Sequence, residues 1–196
     1  MNQPVVPQRP RQAPAAFHLL AKPTGAVCNL DCAYCFFLDK YVFYPVSKFR
    51  MSEPVLEQYI RQLIESHRTD TVNIAWQGGE PTLMGLDFYR RTMDLVEKYR
   101  RPGMTFLHTM QTNGTLLDNE WASFLAEHNF LMGISIDGPR PLHDVYRVDK
   151  GGKPSFDKVM RGLRLLQKHG VDYNVLTTVN RVNGYYPLEV YRFLRD

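Results

Sequence analysis

Short apolar segments alternate with amphipathic helical segments along this 196-residue sequence, and this alternation restricts the possible folds more than any other feature. Buried strands of a parallel sheet read as short apolar runs, whereas helices carry apolar residues on one face. Strands are predicted at residues 16–22, 71–76, 104–112, 130–136 and 171–179. Because strands joined by helices pair in parallel through right-handed crossovers, we predict an α/β fold whose units curl toward a barrel.

Residues with clear local roles mark where the intervening helices begin and end. Ser52, Asp118 and Ser155 are expected N-caps, and Gly170 occupies the usual position after a helix. Pro187 is expected to open the last helix. The predicted helices are residues 52–67, 87–100, a segment from 118, 155–170 and a segment from 187 to the last residue.

Composition places the chain among globular proteins, since 44% of its residues are hydrophobic and its net charge is only +4. The mixed charges argue against a nucleic-acid partner. No apolar run reaches the roughly 18 residues that cross a bilayer, and no secretory signal precedes the first strand, so we expect a cytoplasmic protein without a membrane partner. Residues 1–15 are rich in proline and are predicted to be a disordered tail.

All three cysteines, Cys28, Cys32 and Cys35, lie in one short segment directly after the first predicted strand. Thiolates at these spacings can converge on one soft metal centre, and three ligands leave a coordination position open to a substrate or cofactor. Zinc with a histidine as fourth ligand and three unrelated free thiols are the alternatives. An odd number of clustered cysteines is a poor disulfide framework.

The pattern Cys28-x-x-x-Cys32-x-Tyr34-Cys35 resembles the signature of radical S-adenosylmethionine (SAM) enzymes. The resemblance implies that the three cysteines hold a 4Fe-4S cluster whose fourth iron binds SAM, and that an electron from the cluster cleaves SAM to a 5'-deoxyadenosyl radical. It also implies a partial (β/α)6 barrel. The sequence supplies about five βα units and lacks the sixth, so we expect residues 16–196 to be a radical SAM core domain that is incomplete at its C-terminus.

Polar or glycine-containing turns follow every predicted strand, and all would surround one mouth of such a barrel. They are the cysteine loop and residues 77–81, 111–114, 135–138 and 178–180. Gly78, Gly79 and Glu80 resemble the family motif that binds the amino group of SAM, through backbone carbonyls and the Glu80 carboxylate. The alternative for Glu80 is a capping contact at a helix N-terminus.

Three further residues match family positions that contact SAM. Ser135 resembles a residue that hydrogen-bonds SAM, and Arg147 resembles the arginine whose planar fork pairs with the SAM carboxylate. Tyr34 is expected to lie along the adenine. The alternatives are loop-stabilising contacts for Ser135 and Arg147, and ordinary core packing for Tyr34.

The segments 76–83, 111–117 and 135–139, together with His143, Asp144 and Arg147, resemble anaerobic sulfatase-maturating enzymes. That resemblance implies oxidation of a cysteine or serine of a sulfatase polypeptide to formylglycine, with Gln77 beside the target and a flavodoxin or ferredoxin as reductant. Phe37 stands where relatives have tyrosine.

The same family has a C-terminal part with two auxiliary clusters and a catalytic aspartate, neither of which lies in these 196 residues. We therefore expect this chain alone to be incomplete for turnover. The alternative functions are modification of another peptide by radical SAM chemistry and a truncated, non-catalytic cluster-binding protein.

Overall fold

The computed structural model describes residues 14–43 and 49–196, and within them it contains one five-stranded parallel sheet with the strands in sequential order. The strands are β1 (Leu20–Ala21), β2 (Thr71–Trp76), β3 (Thr105–Thr112), β4 (Phe130–Ser135) and β5 (Tyr173–Leu176). The predicted α/β class and its five-unit partial barrel are confirmed. All but two residues of the predicted N-terminal tail lie outside the described residues.

Six α-helices and three short 3-10 turns accompany these strands in the described part of the chain, and the last helix and the last turn follow β5. The helices are α1 (Glu53–Ser66), α2 (Leu86–Tyr99), α3 (Asn119–Glu127), α4 (Arg140–His143), α5 (Phe156–His169) and α6 (Pro187–Arg195). The 3-10 turns are Leu38–Phe43, Pro81–Met84 and Asn183–Tyr185. No helix in the described ranges is both long enough and apolar enough to cross a membrane.

The two faces of the sheet have different neighbours because strand side chains alternate in direction. On one face, residues such as Ile74, Met110 and Ile134 are fully buried in a core that includes the apolar sides of α1, α2, α3 and α5. On the other face, Leu20, Leu131 and Leu176 are about 40–45% exposed. They line a groove of about 310 Å³, which we call the sheet groove.

The edge strands are shorter than predicted, and the local contacts explain why. Before β1 the chain turns toward the end of α1, where Arg68 N donates to Ala15 O and the Phe17 ring packs on His67. After α5, Val171 N donates to Leu166 O and is therefore used in closing the helix. The contacts before β1 join residues that are distant in the sequence, so the local sequence pattern does not contain them, whereas the contact before β5 is a local helix-closing bond.

The caps agree with prediction in part. The Asp118 carboxylate accepts a hydrogen bond from Trp121 N, and Gly170 adopts a left-handed conformation with φ of 68° after α5. Ser52 and Ser155 occupy the N-cap positions of α1 and α5, but neither side chain makes a capping bond. The cap of α5 comes from Asp144, whose Oδ1 accepts from the backbone N–H groups of Ser155 and Phe156.

Candidate active site

The five strand-end turns meet at a cavity of about 400 Å³, which we call the cysteine cavity. Nine of the ten site residues predicted from the sequence line it: Cys28, Cys32, Tyr34, Cys35, Gln77, Gly78, Gly79, Ser135 and Arg147. A larger cavity of about 710 Å³ lies beside it and shares Phe36 and Phe37, but none of the ten predicted residues lines that space. The cysteine cavity is therefore the candidate active site.

The glycine turn after β2 holds the cysteine loop in place through its backbone. Gly79 N donates to Gly25 O and Glu80 N donates to Val27 O, both at 2.9 Å. A Cβ atom at position 79 would lie 2.0 Å from Val27 O, so only glycine permits this approach. Gly78 adds a positive φ of 125°, which other residues rarely adopt. The Gly-Gly pair therefore has a structural role whether or not its carbonyls bind a ligand.

The three cysteine side chains lie among donors that suit thiolate ligands. Cys28 Sγ accepts from Leu30 N at 3.4 Å and from Asn113 Nδ2 at 3.6 Å, and Arg147 Nη1 lies 4.0 Å from Cys32 Sγ. Burial raises the pKa of the Cys28 thiol to about 11 and also raises that of Cys32. Without a positive centre these thiols stay protonated, and a bound metal removes that proton.

The implied 4Fe-4S cluster can be tested against this donor set. Within residues 14–43 and 49–196, no three His, Cys, Asp or Glu side chains are grouped so that they could hold a metal ion. A four-iron cluster binds each cysteine at a different iron, so its ligands need not converge on one point. Three cysteines on one loop, all facing one cavity and two of them near N–H donors, fit a cluster with an open iron better than a single zinc ion.

Glu80 is the predicted site residue that does not reach the cavity. Its side chain is fully buried, and Oε1 accepts from Thr82 N, Thr82 Oγ1 and Thr112 Oγ1 at 2.7–3.0 Å. Oε2 accepts from Asn113 N at 2.7 Å. Burial raises the Glu80 pKa, and these hydrogen bonds act against that rise. The chain itself supplies donors to this carboxylate, including the capping contact from Thr82 N that the alternative for Glu80 expects, and binding of the SAM ammonium by Glu80 stays a prediction.

Asp137 joins several parts of the cavity wall, although no role for this residue was predicted from the sequence. Its carboxylate is fully buried, with Oδ2 3.0 Å from Arg147 Nε and also accepting from the Tyr34 hydroxyl. Oδ1 accepts from Thr178 N at 3.0 Å. The Arg147 guanidinium also lies 5.6 Å from the Tyr34 ring centre. Asp137 therefore fixes two predicted cofactor contacts, Tyr34 and Arg147, at one carboxylate.

His143 and Asp144 support the same wall from behind. Asp137 N donates to His143 Nδ1 at 3.3 Å, and His143 Nε2 lies 3.0 Å from Ser155 Oγ. The Ser155 hydroxyl donates to Arg147 O, so His143 Nε2 carries the proton shared with Ser155. Burial lowers the pKa of His143 to about 4, which keeps this ring neutral. The two residues therefore position the segment that carries Arg147.

Ser135 is positioned by a neighbouring strand. Gln111 Nε2 donates to Ser135 Oγ at 2.9 Å, which leaves the Ser135 proton free to be donated elsewhere. A Cβ atom at Gly133 would lie 2.0 Å from Gln111 Oε1, so the glycine makes room for this side chain. Gln77, Gln111 and Leu176 line both the cysteine cavity and the sheet groove, and the two spaces meet there.

Comparison with known proteins gives a family match over most of the chain. The model of the radical SAM superfamily matches residues 23–194. A serine-type anaerobic sulfatase-maturating enzyme of Bacteroides thetaiotaomicron is 47% identical over 180 residues, which cover 91% of this chain and 43% of the relative. A cysteine-type enzyme of Clostridium novyi is 38% identical over 177 residues, which cover 90% of this chain and 47% of the relative.

Solved structures give the same result. A structure described as native anSMEcpe with bound AdoMet and Cp18Cys peptide has a TM-score of 0.83 and 37% sequence identity. The match covers 90% of this chain and 47% of that one. The chain therefore spans a little under half the length of these relatives.

Proposed function

Since this chain belongs to the radical SAM superfamily, we propose that it is the SAM-cleaving core of an anaerobic sulfatase-maturating enzyme. The reaction is the oxidation of a cysteine or serine of a sulfatase polypeptide to formylglycine. The proposal is supported by the identity to both serine-type and cysteine-type enzymes, and by the similarity to a structure with bound AdoMet and a peptide.

Cys28, Cys32 and Cys35 would hold the 4Fe-4S cluster that is the family cofactor, and the other residues lining the cavity would hold SAM. When bound, the reduced cluster supplies the electron that cleaves SAM to the radical that removes a hydrogen atom from the substrate. Ser135 offers a hydroxyl proton, and the backbone of Gly78 and Gly79 offers carbonyls to an ammonium group.

Arg147 would bind the SAM carboxylate with its terminal guanidinium N–H groups, while its Nε atom lies 3.0 Å from Asp137 Oδ2. The buried Asp137 carboxylate keeps this cation in one orientation and also anchors Tyr34. A fixed cation and a fixed ring reduce the freedom of the bound cofactor, and hydrogen abstraction requires the reacting atoms to stay close. The placement of Tyr34 along the adenine stays a prediction.

The observation that most favours a peptide substrate is the junction between the cysteine cavity and the sheet groove. Gln77, Gln111 and Leu176 line both spaces, so a group held in the groove meets the cofactor space at these side chains. The groove also presents Leu20 and Leu131, which suit the apolar parts of an extended peptide. Gln77 would then lie beside the target side chain.

We further propose a cytoplasmic location and a small electron-carrier protein as reductant. The cytoplasmic location is supported by the three unpaired cysteines, since thiols stay reduced in the cytoplasm. The electron carrier is supported by the cluster assignment, since the cluster needs an electron for each cleavage of SAM.

The test uses a sulfatase-motif peptide deuterated at the β-carbon of its target cysteine or serine. The chain is reconstituted anaerobically with iron and sulfide, reduced with dithionite and supplied with SAM. We expect deuterium to appear in 5'-deoxyadenosine, and Cys32→Ala to abolish both the cluster and this transfer. A matched peptide with alanine at the target position controls for transfer from other sites.

Absence of deuterium transfer from the sulfatase peptide, when SAM is cleaved, would contradict the substrate assignment. Stoichiometric zinc without sulfide in protein isolated without oxygen would contradict the cluster assignment. Because the test reads hydrogen abstraction, it does not depend on the later steps to formylglycine.

A further inference from the structure

A second cavity, lined mostly by residues with polar or charged side chains, lies beside the cysteine loop. It has a volume of about 390 Å³ and is lined by Asn29, Leu30, Thr115, Asp149, Lys150, Gly151, Lys153 and Lys158. We call it the lysine cavity. Leu30 lines both this cavity and the cysteine cavity, so one residue forms the wall between them. Asn29, which also lines the lysine cavity, directly follows Cys28 in the sequence.

The charge of this surface is positive. Lys150 and Lys158 are half exposed and lie 3.2 Å and 3.4 Å from Asp31 and Asp149. The Asp149 Oδ1 atom already accepts from the backbone N–H groups of Gly151 and Lys153. The three lysines Lys150, Lys153 and Lys158 carry more positive charge than the two carboxylates carry negative charge.

The positive surface continues along the solvent side of α5. Arg161, Arg164 and Lys168 follow Lys158 at intervals of three or four residues, and all four are exposed. Arg161 donates to Thr115 O, which ties the helix to the turn after β3. The result is a basic strip that begins at the lysine cavity.

Hydrogen bonds connect the lysine cavity to the thiol at Cys28. Asn29 Nδ2 donates to Thr115 Oγ1 at 2.8 Å, and Asn29 Oδ1 accepts from Asn113 Nδ2 at 2.8 Å. The same Asn113 amide group lies 3.6 Å from Cys28 Sγ. Leu30 N donates to Cys28 Sγ at 3.4 Å. A partner bound at the lysine cavity would therefore be separated from the Cys28 ligand by one layer of residues.

We propose that the lysine cavity and the start of α5 are the docking surface for an acidic one-electron carrier protein of the flavodoxin or ferredoxin type, and that its electron enters at Cys28. The inference rests on the cluster assignment in the proposed function and not on the identity of the peptide substrate. One electron leaves the reduced carrier and one is gained by the cluster, and no covalent bond forms or breaks.

Charge complementarity favours this occupant. Acidic electron carriers meet basic partners through exposed charges, which accelerate encounter and fix orientation while leaving the complex able to separate. A surface that presents several exposed lysines suits such transient contact better than an apolar groove does. The lysine cavity and the sheet groove have no lining residue in common, so carrier and peptide substrate would occupy separate sites.

The experiment compares two variants that each lose three positive charges. The test variant is Lys150→Gln, Lys153→Gln and Lys158→Gln. The matched control is Arg90→Gln, Arg91→Gln and Lys98→Gln on α2, whose side chains are exposed to a similar degree, 40–55%.

Two quantities are measured for each protein. The first is the dissociation constant of flavodoxin for the cluster-free chain, by calorimetry at several salt concentrations. The second is the rate at which the visible absorbance of the reconstituted cluster falls on mixing with reduced flavodoxin or with dithionite.

For the lysine variant we expect about tenfold weaker binding at low salt, a smaller salt dependence, and slower reduction by flavodoxin. Reduction by dithionite should match the wild type in both variants, and the control variant should bind flavodoxin within about twofold of the wild type.

Equal losses in the two variants would show that only net charge matters and would overturn the proposal. Binding of the lysine variant with wild-type affinity would also overturn it. A failure of the cluster assignment is recognised separately, by iron and sulfide content, and the binding measurement on the cluster-free chain still decides where the carrier docks.

Discussion

Replacing Glu80 with glutamine asks whether this carboxylate belongs to the fold or to the SAM site. Glutamine keeps the size of the side chain and one acceptor oxygen, which can still face Thr82 and Thr112. The other oxygen, which accepts from Asn113 N, becomes an NH2 group. Two N–H donors then point at each other in a site without solvent.

The cost follows from those contacts. A lost hydrogen bond to a charged group is worth about 1.5–3 kcal/mol, and a buried donor without an acceptor costs about 1–3 kcal/mol. Loss of the negative charge offsets part of this destabilisation, because burial raises the Glu80 pKa and so disfavours the ionised form. We expect Glu80→Gln to lower the free energy of unfolding by about 3 kcal/mol, a substantial part of the 5–15 kcal/mol typical of a domain.

The measurement is urea unfolding of the cluster-free chain followed by circular dichroism, with no SAM present. Ser135→Ala is the matched comparison, because Ser135 lines the cavity and its hydroxyl is proposed to meet SAM. We expect Ser135→Ala to unfold within about 1 kcal/mol of the wild type, since it loses one hydrogen bond, and to weaken SAM binding to the reconstituted protein.

The opposite pattern would refute this reasoning. If Glu80→Gln unfolds like the wild type and only its affinity for SAM falls, the carboxylate is a ligand for the cofactor and the hydrogen bonds to Thr82, Thr112 and Asn113 contribute little. An unchanged unfolding curve together with unchanged SAM affinity would refute both assignments.

Two further predictions concern the stability of the cluster-free chain. Gly79→Ala should destabilise the chain by at least about 1–3 kcal/mol and prevent cluster assembly, because the new methyl group would overlap Val27 O. Gly184 is the control, since it has space for a methyl group and an ordinary φ. Gly184→Ala should be neutral or slightly stabilising in the same urea unfolding and iron-content assays. Burial lowers the pKa of His108, which stacks on Phe130, from 6.5 to about 4, so the unfolded state binds its proton first as pH falls. Stability should therefore be complete above pH 6.5 and decline by roughly 3 kcal/mol toward pH 4, and His108→Phe should remove this part of the decline in unfolding curves measured across that range.

The central strands could be predicted almost to the residue because their signals are local. β2 agrees with the predicted range, and β3 and β4 differ from it by one residue at one end. β2 and β4 are mostly apolar, and all three strands are followed by a glycine-containing turn. β1 and β5 were predicted too long. The residues before β1 pack on the end of α1, which is distant in the sequence, whereas Val171 closes α5 through a local hydrogen bond to Leu166 O.

The location of the site could be predicted for a related reason. Parallel strands bring their carboxyl ends to one edge of the sheet, so polar residues in any turn after a strand are candidates for the site. Nine of the ten predicted site residues do line one cavity. The direction of each side chain could not be predicted in this way. The Glu80 side chain turns inward to accept hydrogen bonds from Thr112 and Asn113. These donors lie more than 30 residues away in the sequence, so the local pattern around Glu80 does not reveal them. Asp137 was missed, although an acidic residue at the end of a buried strand and an arginine in the following segment are the signal of a buried pair.

The two buried carboxylates explain how a site made of loops can be rigid. Glu80, after β2, binds the turn after β3 through Asn113, and the Asn113 side chain reaches Cys28. Asp137, after β4, binds the turn after β5 at one oxygen and both Tyr34 and Arg147 at the other. Each acceptor thus joins turns from neighbouring strands to the cysteine loop, and no water competes for it. A loop crosslinked in this way loses its conformational freedom when the chain folds. The entropy cost of ordering the loop is therefore smaller when the cofactor binds.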